Sequence, residues 1–295
     1  MSKHEQLPKA IALALITSLL ASVVAASCKY LSGYLSLHVI IFVQYTVCLV
    51  IVAPLLLRSG TASFKTQRPL LHLFRGLAGL GSFYAFYYAI INIPLIEASL
   101  LRNAAPLCVP LTLMLWLGIK IPRNRWLPLG IGFLGVTCIL KPTPDYINLW
   151  HFIGFGSAIL LSFSMVGTRL LVKTESNTCV LFYYFATAVL GSFPFALSSW
   201  QPAPFSIWLL LISSGVGLYV AMLFYTLAYR YGKPSIISPI SYFGVVFSGV
   251  WGWLFWQQLP TIESYIGTSL VILGAVYVLL IGKEEILLED NNVNK

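Results

Sequence analysis

Ten long apolar runs joined by short connections constrain the fold of this chain more than any other feature of its sequence. A helix needs about 20 mostly apolar residues to cross the hydrocarbon core of a membrane. The fifth run is shorter than this, so we expect Arg125 and Lys141 to extend from its ends to the membrane surfaces. The ten predicted spans are Ala10–Cys28, Leu37–Leu57, Leu70–Ile91, Pro94–Leu117, Trp126–Leu140, Trp150–Val172, Cys179–Ser198, Phe205–Ala228, Pro234–Trp256 and Ile262–Ile281.

The chain carries too little charge for a water-soluble protein. Charged residues are 9% of the 295, and the mean hydropathy is +0.85. A soluble domain has about 25% charged residues, which cover its surface. We therefore predict an all-α integral membrane protein with ten transmembrane helices in a lipid bilayer. Ala25 and Ala26 mimic a signal-peptide cleavage site, but the long first run and the nine further spans favour a retained helix.

The distribution of basic residues predicts the orientation of the spans. If the N-terminus is cytoplasmic, fifteen of the 18 lysines and arginines fall in cytoplasmic segments. Only Lys29 and Lys141 fall in outer loops, and Arg102 lies within a span. The positive-inside rule then predicts that both termini are cytoplasmic, and the many apolar helices predict the inner membrane. We assign the net charge of +9 to this rule, and we predict no nucleic-acid partner because the bases form no continuous face.

Short patterns of the first half return in the second half at a nearly constant distance. Phe86-Tyr87 returns 138 residues later as Phe224-Tyr225, and Trp116 returns 137 residues later as Trp253. Further pairs at offsets of 136 to 139 are Gly79 and Gly215, Gly81 and Gly217, Pro122 and Pro260, and Gly135 and Gly274. Because each half holds five spans, the second half enters the membrane from the opposite side. The sequence therefore predicts two inverted five-helix repeats, which suit alternating access.

Several stretches resemble the drug/metabolite transporter superfamily, with its paired EamA-type domains. Those of the first half are Arg75-Gly76, Tyr87-Tyr88-Ala89, Ile93 to Ala98, Ala105-Pro106-Leu107, Trp126 with Gly132 to Val136, and Leu140-Lys141-Pro142. The second half matches more loosely, through Tyr225 to Ala228 and Gly267 to Gly274. The resemblance implies a first EamA-like repeat over residues 1–141, a linker over 142–149, a second repeat over 150–283 and a cytoplasmic tail over 284–295.

The chain resembles one branch of this family more specifically, and it departs from the family pattern at several positions. Cys28 to Leu31 and Arg68 to Gly76 also look like the bacterial S-adenosylmethionine uptake branch. The family often has Gly-Glu before the proline that follows spans four and nine, where this chain has Ile119-Lys120 and Gln257-Gln258. It often has Arg in span two, where this chain has Gln44. Roles of those charges are not carried over.

Arg102 is the sharpest candidate for a substrate contact. It lies eight residues into the fourth span, which is about 12 Å deep at 1.5 Å per residue. A charge at such depth usually faces a wet cavity or a partner. Arg102 is therefore either a ligand for a carboxylate or other anionic group, or one half of a buried ion pair or brace.

Glu97 is the candidate for ion coupling. As a buried carboxylate it would exchange protons, and the alternative is an interfacial acid favoured by a helix N-terminus and reached by water. It precedes Arg102 by five residues, about 140° around an ideal helix, so we expect the two not to share a face.

Aromatic and amide side chains within the spans complete the candidate site. Tyr84 and Tyr88 are four residues apart and share a helix face, where they could stack on a planar or cationic substrate. Packing between helices is the alternative for each. The other candidate substrate-binding residues are Asn103, Tyr225 and Tyr242.

No enzyme motif is present, and we predict no cofactor. The five cysteines are odd in number and dispersed, so we predict no metal site and read them as small packing residues. His38, His72 and His151 lie at span ends and are assigned no chemistry. The closely spaced Gly76, Gly79 and Gly81 predict close helix packing.

The leading hypothesis is a secondary transporter for a small polar metabolite. A membrane-embedded enzyme is a rival that would need paired carboxylates or a metal cluster at the membrane face. A structural membrane protein is a second rival, and it predicts no solvated cavity around Arg102. Pairing of two chains as a homodimer is left open.

Overall fold

The structure is a computed structural model, and it describes residues 7–58, 66–118, 121, 123–140, 149–171, 174–231, 240, 242–274 and 276–277. Within these ranges the regular structure is entirely helical. The helices are α1 (Leu7–Leu31), α2 (Leu37–Arg58), α3 (Pro69–Asn92), α4 (Leu95–Asn103), α5 (Ala105–Leu117), α6 (Trp126–Leu140), α7 (Leu149–Leu171), α8 (Asn177–Ser198), α9 (Phe205–Tyr231), α10 (Phe243–Trp256) and α11 (Ile262–Gly274).

Six segments of the described chain are long and apolar enough to cross a membrane. They are Pro8–Leu31, Leu37–Leu57, Leu95–Leu117, Leu149–Thr168, Asn177–Ser198 and Phe205–Tyr225. Shorter apolar helices are Trp126–Cys138, Phe243–Trp256 and Ile262–Gly274. Helix α3 has the length of a span but is not among the six. The prediction of an all-helical, multi-span membrane protein is confirmed, and the number ten stays a prediction because residues 234–239 and 278–281 lie outside the described chain.

The most extensive helix contacts join the first half of the chain to the second. Helix α3 packs along α7, α1 along α9, and α2 along α8. Each half therefore buries its apolar faces against the other half. The expected close packing at the glycines is confirmed on α3, where a methyl group on Gly76 would come within 2.7 Å of Thr187 and one on Gly79 within 2.5 Å of Tyr184.

The fourth predicted span is broken beside its charged residue. Helix α4 ends at Asn103, and α5 begins at Ala105, so Pro106 falls in the first turn of a new helix. Proline has no N–H to donate, which costs nothing there but would remove a bond inside a continuous helix. Pro110, by contrast, is accommodated within α5. The break places Arg102 on the last turn of a short helix.

Helices α5 and α10 end in the same way. The residue after each helix, Gly118 and Gln257, lies in the left-handed region, with φ of 68° and 52°. Both backbone N–H groups return to carbonyls of the last turn, which ends the helix. The two residues are 139 apart, within the range of offsets that the sequence repeat predicts.

Candidate functional site

Arg102 points from α4 towards α3. Its Nη1 donates to the carbonyl oxygen of Ser82 at 3.3 Å and to the Ser82 hydroxyl at 3.0 Å. The guanidinium lies 4.5 Å above the ring of Phe83 and 4.7 Å above that of Phe86. The side chain is only partly buried. Among the described residues, no carboxylate pairs with Arg102, so the ion-pair interpretation lacks a described partner.

Hydroxyl and amide groups from α2, α3 and α8 lie in the neighbourhood of this arginine. Tyr45, Tyr87 and Tyr184 all lie within electrostatic range of the guanidinium. The hydroxyls of Tyr45 and Tyr184 are 2.8 Å apart, and that of Tyr87 donates to Gln44 at 2.9 Å. These four side chains were not among the predicted site residues. They supply neutral donors and acceptors around a positive charge, which suits a polar, anionic ligand.

Arg75, one of the fifteen bases counted as cytoplasmic, is a buried arginine near the start of α3. It is 6% exposed, and the helix packing of α3 on α7 and α8 covers it. Its Nε donates to Thr168 at 2.7 Å and its Nη1 to the carbonyl of Val180 at 3.2 Å. The guanidinium also lies 4.2 Å above the ring of Tyr184. Unlike Arg102, Arg75 braces helices through partners on two of them.

Asn103 and Tyr242 lie apart from the contacts of Arg102. Asn103 donates to the carbonyl of Ser99 on its own helix at 2.8 Å. Tyr242 precedes α10 and is 5% exposed, and its hydroxyl has no hydrogen-bond partner among the described residues. Both remain candidates, but the structure gives neither a described contact with Arg102.

The aromatic candidates form a group around His38 instead. The hydroxyls of Tyr84 and Tyr88 lie 3.3 Å and 3.5 Å from the two ring nitrogens of His38. The rings of Tyr84 and Tyr88 are stacked, and Tyr88 stacks further on Trp150. Tyr225 is on α9, which packs against α1 and α2, and 41% of its surface is exposed. His38 thus has partners that the sequence interpretation did not assign to it.

Glu97 is buried, contrary to the interpretation in which water reaches it. It is 3% exposed because α4 packs against both α7 and α10. One carboxylate oxygen lies 2.9 Å from Nε2 of His151 on α7, and the other accepts from the hydroxyl of Ser264 on α11 at 2.7 Å. The Nδ1 atom of His151 is buried without a partner in the described chain. The expectation that Glu97 and Arg102 face different ways is confirmed.

A second histidine–glutamate pair lies at the opposite end of α3. His72 Nε2 contacts the Glu175 carboxylate in the turn before α8, and the Thr66 hydroxyl donates to the same carboxylate. Cys179 Sγ is 3.5 Å from it. Burial raises the pKa of Glu175, but the hydrogen bonds from Thr66 and His72 outweigh this, so the pKa lies below its ordinary value. The sequence interpretation gave these residues no role.

A cavity of about 540 Å³ opens at the end of the bundle predicted to be outside. Lys29 lines it and donates to the carbonyl of Ile93 at 3.0 Å and to Gln258 Oε1 at 3.4 Å. The same oxygen accepts from the backbone N–H of Leu95 at 3.2 Å, so Gln258 caps α4. Gln258 stands where the family often has a charged residue, and here it has a structural task at the mouth of the cavity.

One signal in the sequence could have found the histidine pairs. The chain has only nine acidic residues, and Glu97, Glu175 and Glu263 are those within the described ranges. A buried carboxylate needs a partner, and histidines near span ends are the available ones. The neutral residues around Arg102 carry no such signal, because tyrosines and serines are common in spans.

Comparison with known proteins gives matches over nearly the whole chain. The sequence profile of the EamA-like transporter family matches twice, over residues 8–141 and 148–280. The pseudopaline exporter of Pseudomonas aeruginosa is 30% identical over 272 residues, which are 92% of this chain and 95% of the relative. The riboflavin transporter of Brucella anthropi is 25% identical, covering 82% and 87% of the two chains.

More distant matches also extend over most of the chain. The S-adenosylmethionine uptake transporter of Rickettsia prowazekii is 23% identical over 269 residues, which are 90% of each chain. A solved crystal structure superposes with a TM-score of 0.64 at 19% identity, over 94% of this chain and 98% of the other. The structural match shows the fold alone.

Proposed function

Because the chain belongs to the EamA-like transporter family, we propose that it carries a small, carboxylate-bearing metabolite across the inner membrane by alternating access. Membership makes it a membrane transporter of a small molecule and not an enzyme or a structural protein. The named relatives include an exporter and uptake transporters with different substrates, so their names do not fix the substrate or the direction here. The substrate class is instead inferred from the residues of this chain.

Arg102 carries the proposal. A guanidinium has five N–H donors, and the described hydrogen bonds of Arg102 use Nη1. Leaving such a charge inside a membrane span without a counter-ion is costly. A substrate carboxylate supplies that counter-ion and accepts two parallel hydrogen bonds from the planar fork.

The packing of the helices supports the inverted repeat on which alternating access depends. A two-fold operation that exchanges the halves sends α1 to α7, α2 to α8 and α3 to α9. It turns the α1–α9 contact into the α7–α3 contact and leaves the α2–α8 contact unchanged. These are the three most extensive helix contacts of the described chain. The equal ends of α5 and α10 fit the same operation.

Glu97 is proposed as the coupling residue. It lies on the same broken span as Arg102, and the partners of its buried carboxylate include His151 and the Ser264 hydroxyl. A proton that binds to this group changes the charge of the pair from within the membrane, which is the usual task of such a carboxylate. We propose a proton as the coupling ion for this reason.

The test uses ligand-induced stabilisation of the purified protein by carboxylic-acid metabolites and by their uncharged amides. We expect some acids, and not the matching amides, to raise the Tm of the wild type. In Arg102→Ala the affinity should fall about 10- to 100-fold, because charge-assisted hydrogen bonds contribute about 1.5–3 kcal/mol. Arg102→Lys should restore only part of it, since an ammonium group lacks the planar fork.

Arg75 provides the matched control. Arg75→Lys changes a brace that touches Thr168, Val180 and Tyr184. Its main effect should be a lower Tm of the ligand-free protein, and its effect on the affinity for the acid should be smaller than that of Arg102→Ala. Unchanged acid binding in a stable Arg102→Ala protein would refute the carboxylate site. Amides that bind as well as acids would refute the substrate class.

A further inference from the structure

We propose that His72, Glu175 and Cys179 form a binding site for a zinc-like divalent cation at the end of the bundle opposite the cavity. The three ligand atoms, one nitrogen, one oxygen and one sulfur, all lie within 4.8 Å of one another. In a tetrahedral zinc site, bonds of about 2.0 to 2.3 Å hold neighbouring ligand atoms roughly 3.3 to 3.8 Å apart. Small side-chain rotations are therefore enough to close the site around an ion.

The local backbone holds these ligands in place. Glu175 lies in the turn before α8, and Cys179 lies four residues later in its first turn. The Ser176 hydroxyl accepts from the backbone N–H of Cys179 at 3.2 Å, which caps the helix and fixes the distance between the two ligands. Thr66 donates to the other oxygen of the Glu175 carboxylate. An outer hydrogen bond of this kind orients a metal ligand.

The donor set selects the kind of ion. Imidazole and thiolate favour zinc and its borderline neighbours, whereas magnesium and calcium take oxygen ligands. Three protein ligands leave a fourth position for water or another small ligand. Binding of the ion releases the proton of the Cys179 thiol and replaces the hydrogen bond between His72 and Glu175.

The site joins the two halves of the protein, so a bound ion should affect transport. This inference rests on the proposed function. His72 belongs to α3 in the first half, and the other two ligands belong to the second. The end of α3 that borders the cavity is about 30 Å away, since 20 residues separate His72 from Asn92. A bound ion therefore stabilises the arrangement that is closed at its own end, and it should inhibit a cycle that opens there.

Binding is tested with Co²⁺ as the probe on the purified full-length protein in detergent. We expect one Co²⁺ per chain, with a thiolate-to-cobalt charge-transfer absorption that Zn²⁺ abolishes by displacement. Cys179→Ser should lose this absorption, and Cys138→Ser, which changes the half-buried cysteine of α6, should keep it. A wild type without the band, or a band that persists in Cys179→Ser, would overturn the site.

A second variant and a transport assay complete the test of the ion site. If Cys179→Ser does not fold, Glu175→Gln serves instead, and it should bind Co²⁺ at least tenfold more weakly. In vesicles, Zn²⁺ should inhibit transport by the wild type and not by Cys179→Ser. Binding without inhibition would overturn the inference that the bound ion blocks the transport cycle. The ion site itself would not be affected by that result. Absence of any transport in the wild type would count against the proposed function and not against the site.

Discussion

Two histidine–glutamate pairs join the two halves of this protein at opposite ends of the helix bundle, and they differ in what completes them. The Glu97–His151 pair includes the Ser264 hydroxyl, and the Glu175–His72 pair includes the Thr66 hydroxyl and the Cys179 thiol. Burial does not separate them, because the two carboxylate side chains are 4% and 6% exposed. Their position does: Glu97 lies within a broken span, whereas Glu175 lies in a turn between helices.

The difference shows how the same pair can serve two kinds of chemistry. The described partners of Glu97 are an imidazole nitrogen and a hydroxyl, and we propose that this carboxylate exchanges a proton inside the membrane. Around Glu175 the thiol adds a soft ligand, which a proton does not need and a zinc-like ion prefers. We therefore propose coupling for the first pair and metal-ion binding for the second.

The largest expected effect tests whether the two pairs lie on opposite sides of the membrane. If both pairs faced the same side, the comparison would fail. Single cysteines at residues 174 and 201, in a background without the five native cysteines, mark the two ends of α8. We expect an impermeant thiol reagent added outside to label residue 201 and to leave residue 174 unlabelled, an all-or-none difference.

Retained transport in the cysteine-free background is the control for this labelling. The reverse pattern would overturn the predicted orientation. Labelling of both sites from one side would overturn the inverted repeat as well.

The next effect concerns the Glu97 pair and transport. In Glu97→Gln the side chain keeps its shape and can still accept from Ser264, but it no longer exchanges a proton. Uptake of a binding acid driven by a proton gradient should fall at least tenfold. The measurement compares proteoliposomes with and without a pH difference across the membrane.

Glu263→Gln is the matched control for Glu97→Gln. Glu263 is an exposed carboxylate next to Ser264, at the same end of α11. Its replacement should leave the response to the gradient unchanged. If Glu97→Gln still responds to the gradient like the wild type, the coupling role is wrong.

The smallest effect concerns the Glu175 pair and stability. In metal-free buffer, Glu175→Gln weakens charge-assisted hydrogen bonds with Thr66 and His72 at the end of the bundle. We expect the Tm to fall by roughly 2 to 4 °C, the shift that about 1 kcal/mol produces in a chain of this size. Transport without Zn²⁺ should change less than twofold. If Glu175→Gln lost as much proton-driven uptake as Glu97→Gln, the proposed difference between the two pairs would be wrong.

The sequence by itself determined the class of the protein and the approximate positions of most helices that the structure describes. In a bilayer each spanning segment must satisfy its own backbone hydrogen bonds, so length and apolarity along the chain are enough to find it. Arg102 was found in the same way, because a charge inside an apolar run stands out locally. Pro106 in the sequence indicates a break in the fourth span. The residue at which the helix ends depends on how α4 and α5 pack.

Only the tertiary structure decided which polar groups meet. Glu97 and His151 are 54 residues apart, and His72 and Glu175 are 103 apart. No local pattern encodes such pairs, because they form where helices from the two halves cross. The same is true of Arg75, which looks like a surface charge in the sequence. It becomes a brace because α7 and α8 cover it and supply acceptors that replace water.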